Sequence, residues 1–245
     1  MCTLVILIRP GHAWPILIAA NRDEMAERAS LPPARHWDDR PEVVGGLDVE
    51  AGGSWLGVND HGVVAAVLNR EGTLGSLAGK RSRGELVLEA LDHAEAGEAV
   101  RALAELEPRA YRPFNLVVAD PSGAYWLRHA GDGDIGVFSM SAGLHLLSGT
   151  DLDDAAHPRI AAYAPRFARA AEPDPDRGDW HAWKALLADR SEPEQDAAML
   201  FERPDGFRTR SSALIAIPAY PGFQSRPLWL HAERGSEDET FRAVM

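Results

Sequence analysis

Residues 1–24 read MCTLVILIRPGHAWPILIAANRDE, and this stretch predicts the start of a layered β-sheet fold. Two apolar runs rich in β-branched residues, at 3–9 and 15–20, are separated by Pro10-Gly11-His12-Ala13, which is typical of a hairpin turn. Because both runs are almost continuously hydrophobic, we expect their sheet to be covered on both faces.

The same stretch carries the only cysteine of the chain, Cys2, directly after Met1. If Met1 is removed, Cys2 combines a thiol nucleophile with its own α-amino group as a general base. The amino group titrates near about 8 and the thiol near about 8.5, and such self-contained activation is one solution to covalent catalysis. The alternative is that Cys2 is simply a small apolar residue in a buried strand, since free cysteine is often buried.

The bulk composition is that of an ordinary globular chain. Of 245 residues, 45% are hydrophobic and 25% are charged, and no change in composition divides the chain, so we expect a single domain over residues 1–245. A lone cysteine excludes an internal disulfide framework, and no Cys/His spacing indicates a zinc site.

Charge and hydropathy bound the partners. The formal charge of −12 argues against nucleic acid, whose phosphates require clustered Lys and Arg, and favours a small neutral or cationic ligand unless a local basic pocket is present. The first apolar run is too short for a signal peptide, and no other approaches the ~20 residues that span a bilayer. We therefore expect no transmembrane segment and a cytoplasmic location.

The clearest hairpin joins 52–58 to 63–68 through Asn59-Asp60-His61-Gly62 and places Asn69 at a strand end. Before it, the proline-rich segment 25–42 is predicted to be a surface loop that leads to a short strand at Val43-Val44. Long irregular loops are often functional, so this segment is a candidate rim of a binding site.

The remaining pattern alternates helices and strands in blocks. A Ser82/Glu85 capping box starts a helix that ends by Gly97, and a second helix follows. Further strands are predicted at 114–119, 124–127, 144–147 and 211–217, with a turn at 131–136, and further helices at 153–171, 180–189 and 192–201. Since hairpins outnumber βαβ units, we expect an α+β fold of largely antiparallel sheets with helices outside them.

Asn21-Arg22-Asp23-Glu24 follows directly on the strand that pairs with the Cys2 strand. Strand side chains alternate, so Asn21 and Asp23 share one face while Arg22 and Glu24 share the other. One pair can look into a site while the other locks the structure. The alternative is a solvated turn with a local salt bridge that contributes little.

Two later positions complete the candidate site. Asn69 can donate a hydrogen bond to a developing oxyanion, although Asn at a strand end is usually a turn former. Arg210, in Arg208-Thr209-Arg210-Ser211-Ser212, can meet Asp23, Glu24 or a substrate carboxylate, or can simply make a sheet edge soluble. The nine histidines show no metal-binding spacing, yet one of them could serve as an axial haem ligand.

Taken in order, several segments resemble the NRDE family, also called the transport and Golgi organisation family. The residues that carry the resemblance are Met1-Cys2-Thr3, 20–24, 44–48, 52–58, 68–70, 114–116 and Thr209-Arg210-Ser211-Ser212. The resemblance implies an N-terminal-nucleophile hydrolase-like fold: a four-layer αββα sandwich of two mainly antiparallel sheets flanked by helices.

Within that fold, the bile-salt and penicillin V acylases are similar in their Met-Cys-Thr start and in the polar cluster on the second strand. The resemblance therefore implies catalytic roles for Cys2, Asn21, Arg22, Asp23, Glu24, Asn69 and Arg210. One departure stands out: the family usually has Ser-Asn-Ser where this chain has Ser148-Gly149-Thr150. An amide donor is thus absent at Gly149, and Thr150 or Asp151 is a candidate to replace it.

Two functions follow as hypotheses. The first is an N-terminal-cysteine amidohydrolase that cleaves linear amide bonds of a small molecule and requires no cofactor. The second, which the family's links to haem handling and acyl-lipid metabolism imply, is a non-catalytic binding or trafficking protein for haem or an acyl lipid. In it, Trp37, Trp55 and the 25–42 loop line the same pocket, and Arg22 or Arg210 meets the anionic group of an apolar ligand.

Overall fold

The computed structural model describes residues 2–194, 197–221, 225–235 and 239–245. Met1, whose removal the sequence hypothesis requires, lies outside these ranges. The strands are β1 (Thr3–Ile8), β2 (Ile16–Met25), β3 (Ser30–Ala34), β4 (Val43–Asp48), β5 (Leu56–Asn59), β6 (Val64–Asn69), β7 (Phe114–Asp120), β8 (Gly123–His129), β9 (Gly136–Ser139), β10 (Gly143–Leu147), β11 (Phe207–Ile217), β12 (Leu228–Glu233) and β13 (Arg242–Ala243). The helices are α1 (Gly84–Leu91), α2 (Ala96–Ala104), α3 (Pro158–Arg169) and α4 (His181–Leu187).

The strands form two sheets. The first has the order β10-β1-β2-β11-β12-β13, and the second has the order β3-β4-β5-β6-β7-β8-β9. The named strands pair antiparallel throughout. The first hairpin thus lies at the centre of one sheet, and the hairpin that ends at Asn69 lies at the centre of the other.

Strand β1 shows why the fold has four layers. Its even-numbered residues Leu4, Ile6 and Ile8 pack into a core between the two sheets, whereas Val5 and Leu7 pack outward beneath α3 and α4. Helices α1 and α2 cover the outer face of the second sheet in the same way. The predicted αββα sandwich, and the prediction that the first sheet is covered on both faces, are confirmed.

Three sequence predictions about strands are wrong. Residues 25–42 are not all loop, because β3 lies within them as an edge strand paired to β4 with a register shift. An edge strand tolerates Pro32 and Pro33, whose missing N–H groups would break a central ladder. Strand β9 begins within the predicted 131–136 turn, and β12 and β13 lie beyond residues 211–217, where no further strand is predicted.

The helix predicted at 192–201 does not form in its described part, and 195–196 lie outside the described residues. The Met199 carbonyl instead accepts a hydrogen bond from Asn21, so a tertiary contact replaces the helical one. Likewise α3 begins only at Pro158, at the position where proline suits the first turn of a helix.

A contact between glycines seats α1 against the second sheet. The Ser54 N–H donates to the Gly84 carbonyl at 3.1 Å, and a Cβ on Gly53 would lie only 2.5 Å from the Gly84 carbonyl carbon. Glycine is therefore required for this approach, which fixes the first residue of α1 beside the segment that leads into β5. In the described residues no helix is long and apolar enough to cross a membrane.

Candidate active site

The alternation of β2 sorts the Asn21-Arg22-Asp23-Glu24 cluster onto two faces. Thr3 pairs with Asn21 across the strands, so Cys2 lies near Arg22 at the start of β1. The side chains of Arg22 and Glu24 line a pocket with Cys2, whereas those of Asn21 and Asp23 point to the layer of α3 and α4. The first pair belongs to the pocket and the second to the framework beneath it.

Asp23 is held in a buried ion pair. Its Oδ2 accepts from Arg159 Nη1 at 2.8 Å, and its Oδ1 accepts from the Thr209 hydroxyl at 2.8 Å. Arg159 Nη1 also donates to Thr3 Oγ1 at 2.7 Å, which ties α3 to the residue after Cys2. Arg159 is fully buried, so this carboxylate anchors β1, β2, α3 and β11 together.

Asn21 links β2 to the end of α4, to the segment between α4 and β11, and to β11 itself. Its Nδ2 donates to the carbonyls of Leu187 at 3.0 Å and Met199 at 2.7 Å, and its Oδ1 accepts from Ser212 Oγ at 2.6 Å. The amide is thus fully used in structural hydrogen bonds. Neither Asn21 nor Asp23 is among the residues that line this pocket, so the structure places these two predicted catalytic residues in the framework beneath it.

Cys2 is partly buried at the wall of the pocket. Its Sγ accepts from the Asp23 N–H at 3.3 Å and lies 3.5 Å from the Asp23 carbonyl oxygen. The Ser148 hydroxyl donates to the Cys2 carbonyl at 2.9 Å and fixes its backbone. Burial raises the pKa of the Cys2 thiol, and the nearby Asp23 carboxylate raises it further. The sulfur is therefore a thiol at neutral pH until a base takes its proton.

The pocket has a volume of about 220 Å³ and lies between Cys2 and the strand end at Asn69. Arg22 lies over the Trp55 ring, 4.1 Å from its centroid, and its Nη2 is 4.0 Å from Glu24 Oε2. Arg22 is only 6% exposed, and burial lowers its pKa. The guanidinium is thus fixed against an aromatic face in the wall of the pocket.

Asn69 is the last residue of β6, where it pairs with Phe114. It lines the same pocket as Cys2, and its side chain makes no hydrogen bond to any described residue. A free amide donor and a thiol on one pocket are two of the components that acyl transfer needs.

Arg210 lies apart from Cys2. Its Nη1 donates to the carbonyls of Met25 at 2.9 Å, Ala26 at 2.8 Å and Arg28 at 3.2 Å. It lines a neighbouring pocket of about 160 Å³ that shares Arg22 with the first one. Arg210 therefore supports the chain that leaves β2, and the structure does not bring it together with Cys2.

The segment Ser148-Gly149-Thr150 is held by hydrogen bonds from Asn115 on β7. Asn115 Nδ2 donates to the carbonyls of Ser148 at 3.1 Å and Thr150 at 2.7 Å. Asp151 is engaged by Arg70 at 2.6 Å and Arg128 at 3.0 Å, and these partners lower its pKa despite partial burial. Neither Thr150 nor Asp151 is among the described residues that line the Cys2 pocket.

Sequence reasoning missed the wall of the pocket opposite Cys2. Lys80, Arg81, Arg83 and Arg112 line it together with Arg28. The sequence signal for this wall is the basic run 80–83 before α1, which contains three cations in four residues. Trp37, which was expected in the pocket, instead donates from Nε1 to the Gly52 carbonyl at 2.9 Å.

A second, narrower cleft of about 30 Å³ leads from Cys2 between the sheets. Its walls are largely apolar and include Leu4, Leu68 and Trp229, and His231 lies at one side. Among the described residues, no group of three or more His, Cys, Asp or Glu side chains is arranged to hold a metal ion. Cys2 thus lies where a polar pocket meets an apolar cleft.

Comparison with known protein sequences gives one family. The sequence model described as Transport and Golgi organisation 2 matches residues 1–227. The Transport and Golgi organization protein 2 homolog of Homo sapiens is 37% identical over 132 residues, which cover 51% of this chain and 47% of that protein. The Mus musculus homolog is 34% identical over 129 residues, or 50% and 46% of the two chains. The chain thus spans about half the length of the curated relatives it matches.

Solved structures agree on the fold. A Caenorhabditis elegans N-acylethanolamine-hydrolyzing acid amidase ortholog superposes with a TM-score of 0.61 at 12% identity, covering 90% of this chain and 94% of that one. The C2A mutant of conjugated bile acid hydrolase from Clostridium perfringens gives a TM-score of 0.54 at 11% identity, covering 100% and 92%. At these identities the likeness shows an N-terminal-nucleophile hydrolase-like fold.

Proposed function

The chain belongs to the Transport and Golgi organisation 2 family, and from that premise we propose that it is an N-terminal-cysteine amidohydrolase acting on linear amide bonds of a small molecule. The observation that carries the proposal is the shared pocket of Cys2 and Asn69, in which the amide of Asn69 has no partner among the described residues. The hydrolase-like fold supports it, as does the cysteine at position 2 that the C2A mutant of the bile acid hydrolase replaces.

The chemistry follows acyl transfer to a thiol. The α-amino group of an N-terminal Cys2 takes the thiol proton, and Sγ attacks the amide carbon while Asn69 donates to the oxyanion. The C–N bond then breaks, the amine leaves with the proton, and a thioester remains. Water, deprotonated by the same amino group, hydrolyses the thioester and regenerates the thiol. The Asp23 N–H, 3.3 Å from Sγ, stabilises the thiolate, and the reaction needs no cofactor.

The other predicted residues take supporting roles. Arg22 and Glu24 line the pocket with Cys2 and orient the substrate, while Asn21, Asp23 and Arg210 act as positioning residues through the contacts described above. The mechanism requires that the mature chain begins at Cys2, a requirement that intact-mass measurement checks directly.

A panel of linear amides, assayed with purified protein and two variants, tests the proposal. Cys2→Ala removes the nucleophile, so hydrolysis is lost, and Asn69→Ala removes one oxyanion donor, so kcat falls by roughly 10²–10³. Ser76→Ala, which alters another residue of the pocket wall, is the control and leaves kcat within about twofold. Hydrolysis that survives Cys2→Ala contradicts the proposal.

The second candidate is a carrier that uses the same site without chemistry. The apolar cleft beside Cys2 favours an acyl chain as its ligand. A pocket of about 220 Å³ is smaller than the ~300 Å³ at which drug-sized ligand sites begin, which favours a small or acyl ligand over haem. Binding of an acyl ligand that is fully retained in Cys2→Ala, without hydrolysis by the unmutated protein, distinguishes the carrier.

A further inference from the structure

The pocket that contains Cys2 has a basic wall on an acidic protein. The chain carries a formal charge of −12, yet the charged side chains that line this pocket are Arg22, Arg28, Lys80, Arg81, Arg83 and Arg112 against Glu24 and Asp48. Such a local excess of one sign focuses the potential in a cleft and attracts ligands of the opposite sign.

Three of these cations are paired with carboxylates, and one of them is Arg22, whose Nη2 lies 4.0 Å from Glu24 Oε2. Arg28 Nη2 lies 2.7 Å from Asp48 Oδ2, and Arg81 Nη2 lies 2.6 Å from Glu85 Oε2 and 2.9 Å from Glu89 Oε1. These carboxylates compensate the charges of Arg28 and Arg81, so the two guanidiniums offer little to an anionic ligand.

Arg83 and Arg112 differ because their partners are neutral. Arg83 donates to Thr73 Oγ1 at 3.0 Å and to the Pro113 carbonyl at 3.0 Å. Both guanidiniums also donate to the Gly75 carbonyl, Arg83 at 3.2 Å and Arg112 at 3.1 Å. No carboxylate among the described residues forms an ion pair with either one, although both line the pocket.

Two like charges held at one carbonyl without a counter-ion repel each other. Burial and the neighbouring Arg112 lower the pKa of Arg83 to about 10. The Nε atoms of both guanidiniums make no hydrogen bond to a described residue, so each keeps a donor for a ligand. Guanidinium groups bind planar anions through paired hydrogen bonds, and an anion here would offset the repulsion.

We propose that Arg83 and Arg112 form the subsite for an anionic group of the ligand, so that the substrates are linear amides that carry a carboxylate or a similar acidic group. This assignment of substrate class rests on the proposed hydrolase function. The scissile carbonyl lies at Cys2, and the acidic group lies at the wall of the pocket where α1 begins.

Calorimetric titration of the Cys2→Ala protein with N-hexanoylglycine and with its neutral counterpart N-hexanoylglycinamide tests the subsite without requiring chemistry. We expect the acid to bind at least about tenfold more tightly than the amide. Arg112→Gln in the same background removes most of that preference, and Arg112→Lys retains part of it because the charge remains.

Arg81→Gln is the matched control, since Arg81 lines the same pocket but is neutralised by Glu85 and Glu89. It leaves the acid-to-amide ratio unchanged. Equal affinity for the two ligands, binding of neither, or an equal effect of Arg81→Gln and Arg112→Gln overturns the proposal. A preference for the acid without hydrolysis by the unmutated protein leaves the subsite standing and removes the hydrolase function.

Discussion

His231, a buried histidine on β12, titrates differently in the folded and the unfolded protein. It is 9% exposed and lines the cleft that leads from Cys2. Burial, together with the positive charge of Arg234, lowers the pKa of His231 to about 4. The folded state therefore keeps this imidazole neutral at pH values at which the unfolded chain, with an ordinary pKa near about 6.5, binds a proton.

The sign of the resulting pH dependence follows from this difference. Stability that His231 contributes is complete above about pH 6.5 and is lost as the pH falls through the folded value of about 4. His231→Gln removes this titration. Between about pH 6.5 and about pH 4, the drop in the free energy of unfolding should therefore be smaller in this variant than in the unmutated protein, by on the order of 1–3 kcal/mol. Urea unfolding at a series of pH values measures this difference. His61→Gln, at an exposed histidine, is the control. Identical slopes of the unfolding free energy against pH for all three proteins would refute the assignment.

The arrangement of residues 21–24 was only partly predictable from the sequence. Period-two alternation correctly separated Arg22 and Glu24 from Asn21 and Asp23. It could not say which pair faces the pocket, because both faces of β2 are covered, one by a sheet and the other by helices. That choice depends on Arg159, which is remote in sequence and supplies the counter-charge for Asp23.

At the scale of elements, helix α3 is held to the sheet by this buried pair. Arg159 lies on the apolar stripe of α3 with Tyr163 and Phe167, at spacings of four residues. An arginine on such a stripe was a readable signal for a buried partner. Through Arg159, helix α3 also contacts Thr3, the first residue of β1, which begins just after Cys2.

Arg159→Ala leaves the Asp23 carboxylate without this buried cation, so the unfolding free energy should fall by roughly 3–5 kcal/mol. Arg169→Ala, at an exposed position in the last turn of α3, changes it by less than about 0.5 kcal/mol. Denaturant titration compares the two variants. If Arg159→Ala does not fold, the double variant with Asp23→Leu and Arg159→Met should recover folding; an Arg159→Ala cost no greater than that of Arg169→Ala refutes the pair's role.

Elements at the sheet edges were the hardest to predict from sequence. Apolar runs and turn residues predict the central hairpins, and these hairpins form as expected. Strand β3 contains two prolines and its burial pattern is mostly exposed, so it lacks both apolar alternation and a full set of donors. Its pairing to β4 depends on tertiary context that a local pattern does not contain.

At the scale of the whole molecule, net charge does not describe the local charge of the pocket. A charge of −12 favoured a neutral or cationic partner, whereas the pocket wall is basic. Its cations come from β2, the turn after β2, the segment before α1 and the segment before β7, and only the fold brings these together. The sandwich itself was predictable because the element order and the family motifs both point to it.

The chemistry of the whole molecule reduces to whether the mature chain begins at Cys2 and forms a thioester there. Brief reaction with p-nitrophenyl acetate, followed by acid quench and peptide mass spectrometry, tests this most directly: Sγ displaces p-nitrophenolate and retains the acetyl group. We expect one acetyl group on an N-terminal peptide that starts at Cys2, labile to hydroxylamine and absent from Cys2→Ala. A peptide that keeps Met1, or a protein that gains no hydroxylamine-labile acetyl group at Cys2, would contradict the mechanism.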